Sequence, residues 1–469
     1  MKKLTAFLVS VLATAALNAA VIEQVIVRQQ WPWSTDVKVE YKLSGVTKPV
    51  DLAVQAFNGA TELALPAEAI TGDRYGITED GVGTLVIDPV KAFGTAKVAL
   101  ANFKVKLTVS DSPASRTEVL YKIIDIDANP VAITDVTRAD ILNGKYGTYE
   151  TDYSVFSSFG RNVPSGYPDV TYSTTLSDVL IWTGVTNGNL YRTSRIALRK
   201  IPAAGKSFAM GKWEAAGTDP SAKIPVSFTK DFWIGVFPVT QYQLHKFRPD
   251  LACFMKDTTN PDHVLRAADG MRWDLIRGTY KASWPHGTHA DVANNSFFSL
   301  LQAATGNARL DLPTDAQWEF AARGGSDAMY PHGYDMTSIS SDYYWLYYGG
   351  LFKTTSNSSE SVASSTDIMV GAYPPGLFAP NAYGLYDVMG NVWQWCLDRA
   401  VKNYQTARTG GEDPRGSDSD EPYNANGTYR IRRGGSWAAH NWDVGQANAD
   451  CEYWGSAGNG FRICLHEED

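Results

Sequence analysis

The stretch Arg433-Gly434-Gly435-Ser436-Trp437-Ala438-Ala439-His440-Asn441-Trp442-Asp443-Val444, with Gly460-Phe461-Arg462 downstream, decides how this chain is read. A glycine pair followed by serine marks a turn. What comes after it mixes large aromatics with short polar side chains. In a loop, that mixture gives rigid contact area with adaptable hydrogen bonds, and its apolar rings also suit sugar faces. Trp437, His440, Asn441, Trp442 and Asp443 are therefore the candidate ligand-binding residues, with Tyr453 and Trp454 in the next segment. The competing reading puts tryptophans such as Trp437 and Trp454 in an aromatic core, where regular structure is scarce. Surface contact is the reading for His440, Asn441 and Asp443.

Working outward, the preceding segments carry local folding signals. Thr240 and Gln243, after Pro238-Val239, have the spacing of a capping box, in which the threonine accepts from an early helix amide and the glutamine reaches back. A second box, Thr314-Asp315-Ala316-Gln317, opens a helix through Trp318, Glu319 and Phe320 that Gly324-Gly325 stops. Asn381-Ala382-Tyr383-Gly384-Leu385-Tyr386-Asp387-Val388-Met389-Gly390-Asn391-Val392-Trp393-Gln394-Trp395 follows.

Taken in order, these motifs resemble the formylglycine-generating enzyme family, also called sulfatase-modifying factors, over residues 200–469. The resemblance implies a variant of the C-type lectin fold, mostly irregular with short strands and two helices. Asp311 stands where the family usually has arginine. Members that oxidise a substrate cysteine carry a cysteine pair five residues apart after the Gly-Gly-Ser turn, and those places fall here on Ala439 and Val444. Neither side chain can bind copper or form a mixed disulfide, since both need a thiolate. Copper is not expected, and neither is formylglycine-generating oxidase activity. The family also binds calcium, and the resemblance assigns one site to the Asp387 and Gln394 side chains with the Gly390 and Val392 carbonyls. Gln394 replaces a usual glutamate. The stretch Tyr343 to Gly350 lacks the oxygen ligands of a second family site. The iron-binding His-x-x-x-Glu-x-His pattern of related sulfoxide synthases is absent.

Elsewhere the chain reads as an exported protein. Lys2 and Lys3 precede an apolar run from Leu4 to Leu17, then Ala19 and Ala20, which is the pattern of a signal peptide over 1–20. The run is too short for a membrane anchor. From Val21 to about Ile126 the pattern has period two: Val37, Val39, Tyr41 and Leu43 alternate with charged residues, as do Phe103, Val105, Leu107 and Val109. This predicts an antiparallel β-sandwich over 21–127, with Trp31-Pro32-Trp33 packed where the first strand bends. Residues 128–199 read as a connector with a strand near Asp178-Val179-Leu180-Ile181-Trp182. A net charge of −8 argues against nucleic-acid binding. The four cysteines, Cys253, Cys396, Cys451 and Cys464, favour disulfides in an oxidising compartment. Three pairings are open, and Cys396–Cys451 is the preferred one. His286-Gly287-Thr288-His289-Ala290-Asp291 has a loose metal-ligand look but reads as a surface loop.

The α+β architecture expected is thus a sandwich followed by a formylglycine-generating-enzyme-like domain. The function expected is a secreted, periplasmic or cell-surface binding module for a glycan, peptide or surface protein, without stable membrane insertion. Two alternatives stand beside it. One is an oxidoreductase with a displaced metal centre using Cys451 or Cys464, and the other is a structural surface protein.

Overall fold

The computed structural model describes residues 20–95, 98, 100–151, 179–211, 224–254, 261–278, 284–325, 371–400, 410–417, 429–437, 449–452 and 457–467. The chain forms two compact units. One takes in the residues up to Leu120 together with Val136–Tyr149, and the other takes in Tyr121–Asp135 and Glu150 onward.

The first unit holds β1 (Val21–Gln29), β2 (Val37–Ser44), β3 (Val50–Asn58), β4 (Thr61–Leu63), β5 (Ile70–Gly72), β6 (Gly81–Ile87) and β7 (Phe103–Asp111). They form one sheet in the order β1-β2-β6-β5 and a second in the order β4-β3-β7, with every pair antiparallel. The alternation read in the sequence sets the faces: Val39, Tyr41 and Leu43 of β2 and Val105 and Leu107 of β7 share one core with Leu52, Leu85 and Ile87. Gly83 lies opposite Tyr41, where a Cβ would collide with the tyrosine ring. The Trp31 and Trp33 expectation fails, because they are 59% and 90% exposed. The loop turns on backbone hydrogen bonds from Trp33 and Ser34 to Gln30, and needs no ring packing to do so.

The second unit begins earlier than the alternation suggests. Strand β8 (Val119–Asp125) pairs through Tyr121–Asp125 with β10 (Arg195–Ile201), although its residues fall within the run read as sandwich. With β9 (Ala132–Thr137), β13 (Phe232–Gly235), β14 (Leu310–Asp311) and β20 (Cys464–His466) it completes a six-stranded sheet ordered β14-β20-β13-β10-β8-β9. Successive residues face opposite ways, so Ile463 and Leu465 join one core with Trp273, Phe297 and Phe461, while Cys464 joins another with Phe232, Ile234, Trp318 and Leu385. Of the strand expected near 178–182, Ile181 makes only a single bridge, to Glu150, and Thr183–Thr186 is a 3-10 turn. Asp178 lies outside the described residues.

Two smaller sheets complete the unit. Strands β11 (Ser207–Met210), β12 (Ile224–Ser227) and β16 (Gly411–Glu412) form one. The other has the order β18 (Ala449–Glu452), β17 (Arg430–Arg433), β15 (Trp393–Arg399), β19 (Asn459–Gly460). Both capping boxes form. Thr240 and Gln243 open the helix Gln241–Phe247, and Thr314 and Gln317 open the helix Asp315–Arg323, which ends on left-handed Gly324. Among the described residues no helix is long and apolar enough to cross a membrane.

Candidate functional site

The Gly-Gly-Ser turn leaves β17 directly above the loop that feeds β15. Gly434 has φ 91° and Gly435 has φ 72°, a region that favours glycine. A Cβ on Gly434 would also lie 2.9 Å from the Val388 carbonyl oxygen and 3.1 Å from the Trp318 ring. The two segments are joined by hydrogen bonds from Gly390 N to Gly434 O at 2.7 Å and from Trp437 N to Asn391 O at 2.9 Å.

Asn391 organises this junction. With φ 59° it donates from its side chain to Tyr373 O at 3.1 Å and accepts from Tyr373 N at 3.0 Å, clamping residue 373 as a strand partner would. It then presents Val392 and its own carbonyl to Trp437. The Trp437 ring is buried with Ala267, Ala372 and Val392 and lies 6.0 Å from the ring of Phe254, which is 61% exposed. Of the two readings open for Trp437, the structure gives the buried one. Ala439, His440, Asn441, Trp442, Asp443, Val444, Tyr453 and Trp454 lie outside the described residues.

The four residues assigned to calcium come together at the start of β15, but their side-chain oxygens are engaged. Gln394 Oε1 accepts from Trp318 Nε1 at 2.8 Å and from Arg462 Nε at 2.9 Å, while Gln394 Nε2 donates to Asp387 O at 2.8 Å. Asp387 Oδ2 accepts from Gly376 N at 2.6 Å, and Oδ1 accepts from Asn391 at 3.4 Å. Burial pushes the Asp387 carboxyl above its ordinary range, against the pull of Gly376 N and the Arg462 charge. A calcium ion takes six to eight oxygens, and its charge is matched by carboxylates. One carboxylate and two carbonyls beside a guanidinium do not fit it, and among the described residues no group of three His, Cys, Asp or Glu could hold a metal.

The cation that occupies this place in the fold is Arg462. It is fully buried, and all five of its N–H groups are used. Nη1 donates to Gly235 O at 2.5 Å and Val236 O at 2.8 Å, and Nη2 donates to Tyr386 O at 2.6 Å and Asp387 O at 3.2 Å. Burial lowers its pKa to about 9, with Asp387 opposing that shift. The side chain therefore stays charged at neutral pH and ties the β13 exit, the 386–387 turn and β15 together. A second buried charge network lies alongside. Arg433 pairs with Asp315 and, at 2.9 Å, with Glu319. Glu319 also holds Arg323 at 2.8 Å, and Asp398 accepts from Asp315 N at 2.7 Å.

The preferred disulfide does not form. Cys396 is a free, buried thiol on β15, whereas Cys451 lies on β18, opposite Ile431 of the intervening β17. Two strand spacings put about 9–10 Å between them, beyond the roughly 7 Å limit for bridged Cα atoms. Cys253 and Cys464 are free and buried as well. Burial raises the Cys253 thiol to about 12, and the thiols of Cys396 and Cys464 well above the ordinary value. None of the three is a poised thiolate.

Residues 199–466 match the Sulfatase-modifying factor enzyme 1-like domain, which is more than half of the chain. The chain belongs to the sulfatase-modifying factor family. A formylglycine-generating enzyme of Thermomonospora curvata is 37% identical over 132 residues, 28% of this chain and 39% of that protein. A formylglycine-generating enzyme of Streptomyces coelicolor is 29% identical, covering 44% of this chain and 64% of that one. An inactive C-alpha-formylglycine-generating enzyme 2 of Bos taurus is 27% identical, covering 50% and 75%. The chain thus spans less than two thirds of the two formylglycine-generating enzymes named. Among solved structures, the variable protein 1 of Treponema denticola is similar at TM-score 0.40 and 20% identity, over 58% of this chain and 95% of that one.

Two features of this sulfatase-modifying factor relative escaped the sequence reading. Arg462 was visible only as part of a motif, and the four carbonyls converging on it come from two distant segments. The loop at His286–Asp291 proves more than a surface loop. His289 is half-buried, its Nδ1 3.1 Å from Asp311 Oδ2, and its ring stacks on His466 at 3.6 Å. The signal was Asp311, at the place where the family has arginine. Here the arginine comes from Arg277, bonded to Asp311 at 2.9 Å with both side chains fully buried.

Proposed function

We propose that this protein is an exported, non-oxidase member of its family that binds a ligand through the loops flanking the Gly-Gly-Ser turn. One observation carries the reading: the two positions that would hold the thiolate pair are Ala439 and Val444. Among the described thiols, Cys253, Cys396 and Cys464 do not replace them, since they are buried and protonated at neutral pH. Cys464, one of the two cysteines considered for a displaced centre, is committed to the core of the six-stranded sheet. A similar protein whose name marks it as inactive supports this reading.

The amino-terminal unit is read as a β-sandwich that carries the binding domain, with its two sheets closed over one core. Strand β1 opens at Val21, so removal of a signal peptide over 1–20 leaves every strand intact. Placement outside the cytoplasm, and a glycan, peptide or surface protein as the ligand, follow from that export signal and from the aromatic and polar character of residues 437–443.

The test has two arms. Incubating the protein with copper, oxygen and a sulfatase-type cysteine peptide should leave the peptide mass unchanged, and turnover at the rate of an active family member would overturn the non-oxidase reading. A glycan and surface-protein array run with the parent and with Asn441→Ala/Asp443→Ala should show binding lost at unchanged melting temperature. Loss of folding with no ligand bound by the parent would leave a structural protein instead.

A further inference from the structure

Away from the Gly-Gly-Ser turn, four flat groups stack in a row. The Arg415 guanidinium lies 4.1 Å from the centre of the Trp284 ring. Trp284 is 4.9 Å from His289, and His289 is 3.6 Å from His466. The row is fixed at its inner end. His466 lies between Leu312 O, 3.0 Å from Nε2, and Gln317, 3.2 Å from Nδ1. Burial, then the neighbouring His289, keep its ring neutral. Burial tends to raise the Asp311 carboxyl, but Arg277 and His289 outweigh it and hold it below the ordinary range. The ionised Asp311 therefore accepts from His289 Nδ1 and leaves Nε2 as the ring's outward nitrogen.

The outer end of the row is unfinished. Trp284 is 2% exposed and its Nε1–H has no hydrogen-bond partner among the described residues, nor has the buried Nε–H of Arg415. An unpaired buried donor is destabilising, so two in one place call for an acceptor. Both residues line the same cavity, of about 100 Å³, together with His289 and Lys230. Thr314 and Gln317, the capping residues of the helix Asp315–Arg323, line it too, so the positive end of that helix faces the same space. Three acidic residues line it as well. Two are already engaged: Asp231 accepts from Lys200 at 3.0 Å and from Ala204 N at 2.9 Å, and Asp413 accepts from Thr229 N at 3.1 Å. Glu467 is the third, set against the charges of Lys230 and Arg415.

We propose that this cavity is a binding site for a small carboxylate, whose two oxygens accept from Arg415 Nε and Trp284 Nε1. A carboxylate offers two acceptor atoms to two N–H donors and a charge to the guanidinium, and the volume admits only a few heavy atoms. Arg415 is preorganised for the task by its hydrogen bond to Gly287 O and by the ring beneath it. The site lies outside the loops of the proposed ligand groove, and neither reading depends on the other.

The experiment follows the indole N–H signals of the intact protein labelled with nitrogen-15 at tryptophan, with the Trp284 signal assigned through Trp284→Phe. Sodium acetate should move the Trp284 signal saturably, and the methyl ester of acetate should not move it. Arg415→Gln should weaken acetate binding about tenfold or more. Trp284→Phe, which keeps the ring and removes the orphan donor, should fold at least as stably as the parent. An indole signal that acetate leaves unmoved in the parent protein would overturn the proposal. Equal, Arg415-dependent shifts with acetate and inorganic phosphate would overturn the carboxylate assignment.

Discussion

Replacing Arg462 by lysine separates charge from geometry at the centre of the second unit. Arginine fills five acceptors there: four backbone carbonyls from two separate segments and the Gln394 amide oxygen. Lysine keeps the charge but has three N–H donors, so at least two of these five bonds are lost. Val236 O, Asp387 O and Gln394 Oε1 each keep a second donor, from Tyr386 N, Gln394 Nε2 and Trp318 Nε1. At about 1.5–3 kcal/mol for each hydrogen bond to a charged group, the loss is about 3–6 kcal/mol. That is a large fraction of the roughly 5–15 kcal/mol that holds a folded domain together. The second unit has more than 300 residues, for which about 2.1 cal/mol/K of unfolding entropy per residue makes one kcal/mol worth about 1.4 °C, so calorimetry should place its transition about 4–8 °C below the parent's. The transition of the first unit should not move. A lysine variant melting within about 2 °C of the parent would show that water or side-chain rearrangement satisfies those carbonyls, and the account of Arg462 as the central tie would fail.

Three further outcomes are expected. Thiol labelling of the native protein should leave Cys253, Cys396 and Cys464 unmodified, and denaturation without reductant should release them; an absence of free thiol after denaturation would restore the disulfide reading. Calcium and chelator should give the same melting temperature for the parent, and a rise with calcium that Asp387→Ala abolishes would overturn the donor-set reasoning. Burial, with Asp315 adding to it, pushes the Asp398 carboxyl up to about 7. The native state thus keeps a proton that the unfolded chain releases above about pH 4, and this group makes stability fall as pH rises from about 4 to 7. Asp398→Asn should flatten that slope in urea titrations across the window, and an unchanged slope would assign it to other groups.

How much the sequence disclosed depends on how local each cause is. The two capping boxes are contained within four residues each, and both were legible at Thr240–Gln243 and Thr314–Gln317. The strands at 37–44 and 103–111 were legible because one face is buried and one is wet. Strand β8 reads Val-Leu-Tyr-Lys-Ile-Ile-Asp with buried residues in adjacent pairs, and its partner β10 begins 70 residues later at Arg195, which periodicity cannot reveal. The cysteine pairing failed for a related reason. Cys396 and Cys451 lie on strands that share a neighbour, and only the strand order reveals that β17 stands between them. For the site, the family motifs brought Asp387, Gly390, Val392 and Gln394 to one turn, but whether an oxygen is vacant depends on donors as distant as Trp318 and Arg462.

The register of β17 and β18 bears on how this family changes. Arg433 pairs with Ala449, so the two ends of the stretch between them are fastened to each other by the ladder of β17 and β18. Its base is secured from below by Asn391 and the buried Trp437. Doubling the length of a loop costs only about 0.6 kcal/mol of closure entropy. The sequence at 438–448 is therefore an exchangeable cassette between two fixed ends. A lineage can discard a reactive cysteine pair, lengthen the cassette or fill it with aromatics, and the sheet beneath registers almost none of it. Selection on what the protein recognises is thereby decoupled from selection on whether it folds, so chemistry in this family can disappear without leaving a damaged scaffold behind.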